Sequence, residues 1–326
     1  MERDIVRGSL EMTAAMVISG TIGWFVLMSG QPVFSVVFWR CAIGALTLLL
    51  ICGALGLLRP NVISLKILGL AMIGGVAIVL NWVLLFAAYP RASIAIATTV
   101  YNVQPFMLVG LGALMFKEKL TVTKLAWLAL AFAGMLLIVQ AKPGGIYSGS
   151  DYMAGIALAL GAAFLYAIAA IVAKRLRGTP PHLIALIQVS VGIVMLAPLA
   201  DFTTLPQSTG EWASIITIGI VHTGLMYILL YSAIQRLPTH ITGSLSFIYP
   251  VAAILVDYFA FGHALQASQL LGSAIILIAA AGTSLGWSFR RPVIVNAKFE
   301  VLSRKWCEAC SESPNCGRRC KQGCLG

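Results

Sequence analysis

Arg40 and Asp257 each stand inside a long run of apolar residues. A charge at such depth in a membrane costs at least about 2.5–3.5 kcal/mol unless it is paired or wetted, so each marks a pathway, a proton relay or an ion pair locking two helices. His222, between Gly219 and Gly224 in another apolar run, is of the one residue type that changes charge near neutral pH. With Asp257 it could pass a proton; the plainer alternative is a histidine satisfied by a neighbour. A further group is neutral. Tyr101-Asn102-Val103-Gln104-Pro105-Phe106 sets two amides and a phenol beside a proline, and Ser246, Tyr249 and Pro250 form a similar cluster farther on. Thr98, Tyr101 and Pro105 share a helical face, as do Ser246, Tyr249, Pro250 and Asp257. Side chains of this kind line a polar cavity or serve as interhelical hydrogen bonds, worth about 0.6 kcal/mol each. Asn81, Trp82 and Trp24 could add an amphipathic wall.

The elements that must hold these residues follow from composition. The chain of 326 residues is 60% apolar and only 10% charged, with a mean hydropathy of +0.94. That excludes a soluble domain. Ten apolar runs, at about 9–29, 34–58, 66–88, 92–116, 122–140, 152–173, 181–200, 212–232, 241–262 and 268–288, are each long enough to cross a hydrocarbon core of about 30 Å. An all-α integral membrane protein of ten transmembrane helices is therefore expected. Arg40 would lie about 12 Å from the outer end of its span, and Asp257 about 10 Å outward of Pro250. A mid-span proline kinks or breaks its helix. Lipid tolerates the break only where other helices or a wet cavity satisfy the freed backbone groups. Glu11, near the start of the first span, reads as an interfacial charge.

Positive charge sets the orientation. Arg59, Lys66, Lys117, Lys119, Lys124, Lys174, Arg175, Arg177, Arg236, Arg290 and Arg291 fall in one set of loops, against Arg91 and Lys142 in the other. Both termini are then cytoplasmic. Pro105 and Pro250 stand 145 residues apart, and the same offset brings Arg91 onto Arg236 and Phe116 onto Phe261. Lys117-Glu118-Lys119 ends span four, whereas the matching Gly262-His263-Ala264 carries no Lys or Arg. A second half inserted upside down should lose them there. The expected organisation is a five-span repeat over 1–140, an inverted five-span repeat over 141–288, and a basic tail over 289–326. Proline-broken spans at matching places in two inverted halves point to a transporter's binding site near the midplane.

Ten spans in two inverted halves, Phe38-Trp39-Arg40 at the start of span two, and the run from Pro105 to Phe116-Lys117-Glu118-Lys119-Leu120-Thr121 resemble the drug/metabolite transporter superfamily, EamA type. The resemblance covers about residues 9–288. It implies export of amino acids, drugs or other metabolites, and some members of the wider superfamily move nucleotide-sugars or sugar phosphates. The family's second half usually ends on a Gly-Glu-Arg-like turn; Gly262-His263-Ala264 departs from it.

The tail carries eight Lys or Arg, three Glu and the cysteines Cys307, Cys310, Cys316, Cys320 and Cys324. It reads as a disordered basic segment touching anionic lipid; the alternative is a zinc knuckle on the irregularly spaced thiols. No Gly-x-x-x-x-Gly-Lys-Ser/Thr loop is present to drive pumping with ATP. No metal site, cofactor, catalytic set or nucleic-acid surface is called for. The expected function is a secondary transporter in the cell (inner) membrane, exporting a small metabolite such as an amino acid or a drug-like compound by alternating access. An uptake permease of the same fold and a non-transporting sensor working through its tail are the alternatives. Its partners are the small-molecule substrate and the lipid bilayer, with a homodimer open.

Overall fold

In lipid a backbone must satisfy its own hydrogen bonds, so apolar runs of this length form helices. The computed structural model describes residues 2–58, 64–92, 97, 100–118, 120–140, 150–203, 205–261 and 267–287, whose regular structure is helical with no strand among them. Thr98, the sequence Gly262-His263-Ala264 and the cysteine-bearing tail lie outside the described residues, as does the side chain of Asp257. In chain order the helices are α1 (Glu2–Met28), α2 (Val33–Ala54), α3 (Leu65–Ala92), α4 (Gln104–Phe116), α5 (Val122–Gln140), α6 (Ser150–Arg175) and α7 (Pro181–Leu196). There follow α8 (Thr209–Gly219), a π-helical segment (Ile220–Leu225), α9 (Met226–Arg236), α10 (Thr239–Ser246), α11 (Ile248–Phe261) and α12 (Ala267–Ser284). Five stretches, Arg3–Val26, Val33–Ala54, Leu65–Ala88, Tyr152–Arg175 and Thr209–Arg236, are long and apolar enough to cross a membrane, and four shorter apolar helices accompany them.

Polarity is distributed as a bilayer demands. Leu46, Leu49 and Leu50 of α2, Ile73 and Val76 of α3 and Leu114 of α4 face outward. Arg40, Asn81, Asn102, Gln104, Gln188, His222 and Thr223 are buried. Within the bundle α3 packs on α6, α2 on α7, α5 on α12, and α1 against both α9 and α11. Small residues let these pairs close. A Cβ on Gly134 of α5 would stand 2.7 Å from the carbonyl oxygen of Gly272 and 3.0 Å from Ile276 on α12. Backbone cannot yield as a side chain can, so Gly134→Ala should force α5 and α12 apart. Overpacking of this kind costs about 1–3 kcal/mol, to be read as a lower melting temperature in detergent with the helix content kept.

Three local features depart from the sequence expectation. The first helix begins seven residues before the apolar run, because Arg7 and Glu11, one turn apart, pair at 2.9 Å and support the extension. α3 runs through Pro90 to Ala92, where Arg91 Nη1 donates to the Ala87 carbonyl at 2.8 Å. The stretches expected as spans four and nine do not kink at their prolines. Each breaks three residues earlier, at the Asn102-Val103 turn and at Phe247, and Pro105 and Pro250 sit in the first turn of the helix that resumes. A proline is tolerated there because its missing N–H would have had no helical partner.

Candidate functional site

The breaks open a central cavity of about 110 Å³, room for several water molecules. Arg40, Asn81, Trp82, Tyr101, Asn102, Gln104, Ser246 and Tyr249, all expected from the sequence, line it together. Met16, Ser19 and Ile22 of α1 close one side, and Tyr166 of α6 with Met226, Tyr227 and Leu230 of α9 another. Tyr166 and Tyr227 were not expected, although they carry the signal that singled out Tyr101, a phenol in the middle of an apolar span.

Arg40 is the dominant charge. Its Nε donates to Thr223 Oγ1 at 3.1 Å and its Nη2 to the His222 carbonyl at 3.4 Å. The guanidinium carbon lies 3.9 Å from the centre of the Trp82 ring and 5.9 Å from that of Tyr227. A guanidinium over aromatic faces recovers part of its lost hydration, but the group has no carboxylate partner among the described residues. The acceptors it does use come from the π-helical segment. There the side chains of Thr223 and His222 reach back five residues, to the carbonyls of Ile218 at 2.9 Å and Thr217 at 3.4 Å. Wide turns of this type are frequent at functional sites, and nothing but the Gly219 and Gly224 bracket hinted at one here.

Two acceptors answer the cation. Asn81 Nδ2 donates to the Ala162 carbonyl at 2.7 Å and to Tyr101 Oη at 3.3 Å. A carbonyl can only accept, so the amide is pinned with Oδ1 turned away, and Oδ1 is buried without a partner. Gln104 Oε1 is likewise buried and unpartnered. An unsatisfied buried acceptor costs about 1–3 kcal/mol, and both belong to side chains on the cavity wall.

Other expected residues fall elsewhere. Trp24 does not wall the cavity. It lies two residues past Ile22, about 200° around α1, and its ring packs on Phe25 with centroids 4.7 Å apart. Pro105 and Pro250 each follow a lining residue by one step and turn away from the cavity; Pro105 abuts Gly243 of α10. His222 lies behind Arg40, its Nε2 2.7 Å from Thr21 Oγ1 and its ring against Phe25. Asp257 is placed by its backbone on α11.

A second polar cluster joins three helix ends. Lys117, at φ 55°, caps α4 in the left-handed conformation and turns the chain into Glu118. Glu118 Oε1 meets Lys174 Nζ at 2.6 Å, and its Oε2 accepts from Thr239 Oγ1 at 2.6 Å and from Thr239 N at 3.0 Å. Lys174 also donates to the Leu237 carbonyl at 3.0 Å. Burial alone would raise the Glu118 carboxyl, but the hydrogen bonds from Lys174 and Thr239 outweigh it and hold the group below its ordinary value.

A bundle of apolar helices thus encloses, at two helix breaks, a small cavity with a largely aromatic and apolar wall and a few polar groups, and comparison with known proteins says what class of protein this is. The model of the EamA-like transporter family matches residues 7–140 and again 153–285. An uncharacterized transporter of Bacillus subtilis (strain 168) is 30% identical over 276 residues, 84% of this chain and 88% of the relative. A probable amino-acid metabolite efflux pump of Salmonella typhimurium is 28% identical over 62% of this chain and 71% of its own length. An aromatic amino acid exporter of Ancylobacter novellus is 23% identical over 61% and 70%. A solved crystal structure superposes with a TM-score of 0.74 at 20% identity, covering 85% of this chain and 96% of that one. The chain belongs to the EamA-like transporter family.

Proposed function

We propose that the protein is an exporter of small amphipathic metabolites that carry a carboxylate and an amine on a flat or apolar body, amino acids with aromatic side chains foremost. The observation that carries this reading is the pairing of an Arg40 guanidinium lacking a carboxylate partner among the described residues with the unsatisfied acceptors Asn81 Oδ1 and Gln104 Oε1 in one aromatic-walled cavity. A carboxylate would bind Arg40 through charge-assisted hydrogen bonds. An ammonium would fill the two amide oxygens, and Trp82, Tyr101, Tyr166, Tyr227 and Tyr249 would pack on the remainder. The names of relatives that export amino acids or their metabolites support the same class.

In this reading the chain crosses the membrane ten times as two inverted halves, with both termini cytoplasmic. Val100 and Tyr101 join α4 across the Asn102-Val103 turn, the π-helical segment links α8 to α9, and α10 joins α11, each set belonging to one span. Neighbour relations support the inversion: α3 packs on α6 much as α8 and α9 pack on α1, while α2 with α7 and α5 with α12 pair across the middle. Alternating access is a rocking of the halves about the cavity. Counterflow in proteoliposomes tests the function. Liposomes preloaded with unlabelled phenylalanine should accumulate labelled phenylalanine, and phenethylamine, which lacks the carboxylate, should compete poorly. No accumulation with any of the common amino acids would refute the reading.

A further inference from the structure

The flank of α9 turned away from the central cavity bounds a second one. Tyr227 and Leu230 face the centre, whereas Ile228, Leu229, Ser232 and Arg236, on the opposite face, line a polar cavity of about 500 Å³. The start of α1 and the turn from Arg177 to His182 complete it. Arg7, Arg177 and Arg236 converge there with Asp4 and Glu11. Arg7 Nε holds Glu11 Oε1 at 2.9 Å, while Arg236 lies 3.3 Å from Glu11 Oε2 and 3.6 Å from Asp4 Oδ1. Three guanidiniums thus meet two carboxylates. The surplus charge falls on Arg177, which is exposed and makes no ion pair among the described residues. His182 Nδ1 on the same wall is buried without a hydrogen-bond partner. Ile228 and Leu229, half-buried, give the cavity an apolar side.

A cation with no counter-ion, an unfilled imidazole nitrogen and an apolar strip, together at the ends of membrane-crossing helices, describe a ligand with a phosphate at one end and hydrocarbon at the other. We propose that this cavity seats the headgroup of an anionic phospholipid. Arg177 contacts the phosphate oxygens, His182 donates a second hydrogen bond, and an acyl chain runs along Ile228 and Leu229. Basic pockets between transmembrane helices hold such headgroups by the same charge complementarity, and a guanidinium suits phosphate because its planar fork donates two hydrogen bonds at once. The position on the outer flank of α9, separated from the central cavity by the helix itself, fits a lipid rather than a transported solute.

The test uses the full-length protein, delipidated in dodecyl maltoside and titrated with dioleoyl phosphatidylglycerol, dioleoyl phosphatidylcholine or inorganic phosphate. Melting temperature reports binding, and native mass spectrometry counts the lipids retained. Phosphatidylglycerol should raise the melting temperature and stay bound, with little effect of phosphatidylcholine. Arg177→Gln should weaken phosphatidylglycerol about tenfold, the loss of one charge-assisted contact, and Arg177→Lys should recover part of it. Because Arg177 is exposed, both variants should melt like the wild type without lipid. Equal binding of phosphatidylcholine, or undiminished phosphatidylglycerol binding by Arg177→Gln, would overturn the proposal. Stabilisation by inorganic phosphate equal to that by the lipid would assign the site to a free anion and also overturn it.

Discussion

Arg40→Gln should leave the protein folded in the membrane and reduce the flux of a carboxylate-bearing substrate by about 10- to 150-fold. The range follows from the about 1.5–3 kcal/mol that a hydrogen bond to a charged group contributes. Glutamine keeps a donor within reach of Thr223 and the His222 carbonyl, so the contacts that seat the side chain in the bundle are partly preserved. It loses the charge over Trp82. The diagnostic measurement is the ratio of phenylalanine to phenethylamine transport in proteoliposomes. If Arg40 binds the substrate carboxylate, that ratio collapses while the melting temperature barely moves. If Arg40 only ties α2 to the π-helical segment, the melting temperature falls and both fluxes drop in parallel, leaving the ratio intact. That second outcome would remove the anion pole from the proposed site.

Most of the cavity could be found in the sequence because lipid makes polarity conspicuous. Asn81, Tyr101, Asn102, Gln104, Ser246 and Tyr249 are polar groups in runs where leucine would be cheaper, and the folded chain gathers all of them. What the sequence concealed is direction. A proline announces a break but not its position, and the two breaks fall three residues before Pro105 and Pro250 because a proline is best placed just inside a helix start. Helical phase separates Trp24 from Ile22 by about 200°, so a residue that looked like cavity wall packs on Phe25 instead. The partners of Arg40 were illegible for a different reason. They are one carbonyl and one hydroxyl of a π-helical segment, a backbone irregularity with no residue signature of its own. The Glu118 cluster shows the same limit. The motif around it was visible, but the partners that give it meaning stand 56 and 121 residues away along the chain.

That cluster carries the second large effect expected. Glu118 and Lys174 side chains are only 17% and 14% exposed, so the pair behaves as a buried one rather than as a surface bridge. Glu118→Ala strands the Lys174 ammonium and leaves the Thr239 N–H and hydroxyl without their acceptor. Removing one member of a buried pair costs about 3–5 kcal/mol, and here the loss is concentrated where the ends of α4 and α6 meet the start of α10. Glu118→Gln, which still accepts from Thr239, should cost less. Glu118→Ala with Lys174→Ala should cost less than the sum of the singles, since no uncompensated charge remains. Acidity supplies an independent check. The folded carboxyl is held below the ordinary glutamate value of 4.5, so the cluster stabilises fully above that value and loses its contribution as pH falls through the lower folded value. The difference in melting temperature between wild type and Glu118→Gln should therefore be constant at neutral pH and shrink below about pH 4.5. A difference that stays the same down to pH 3 would mean that Glu118 acts as a neutral hydrogen-bond acceptor and that its charge contributes nothing.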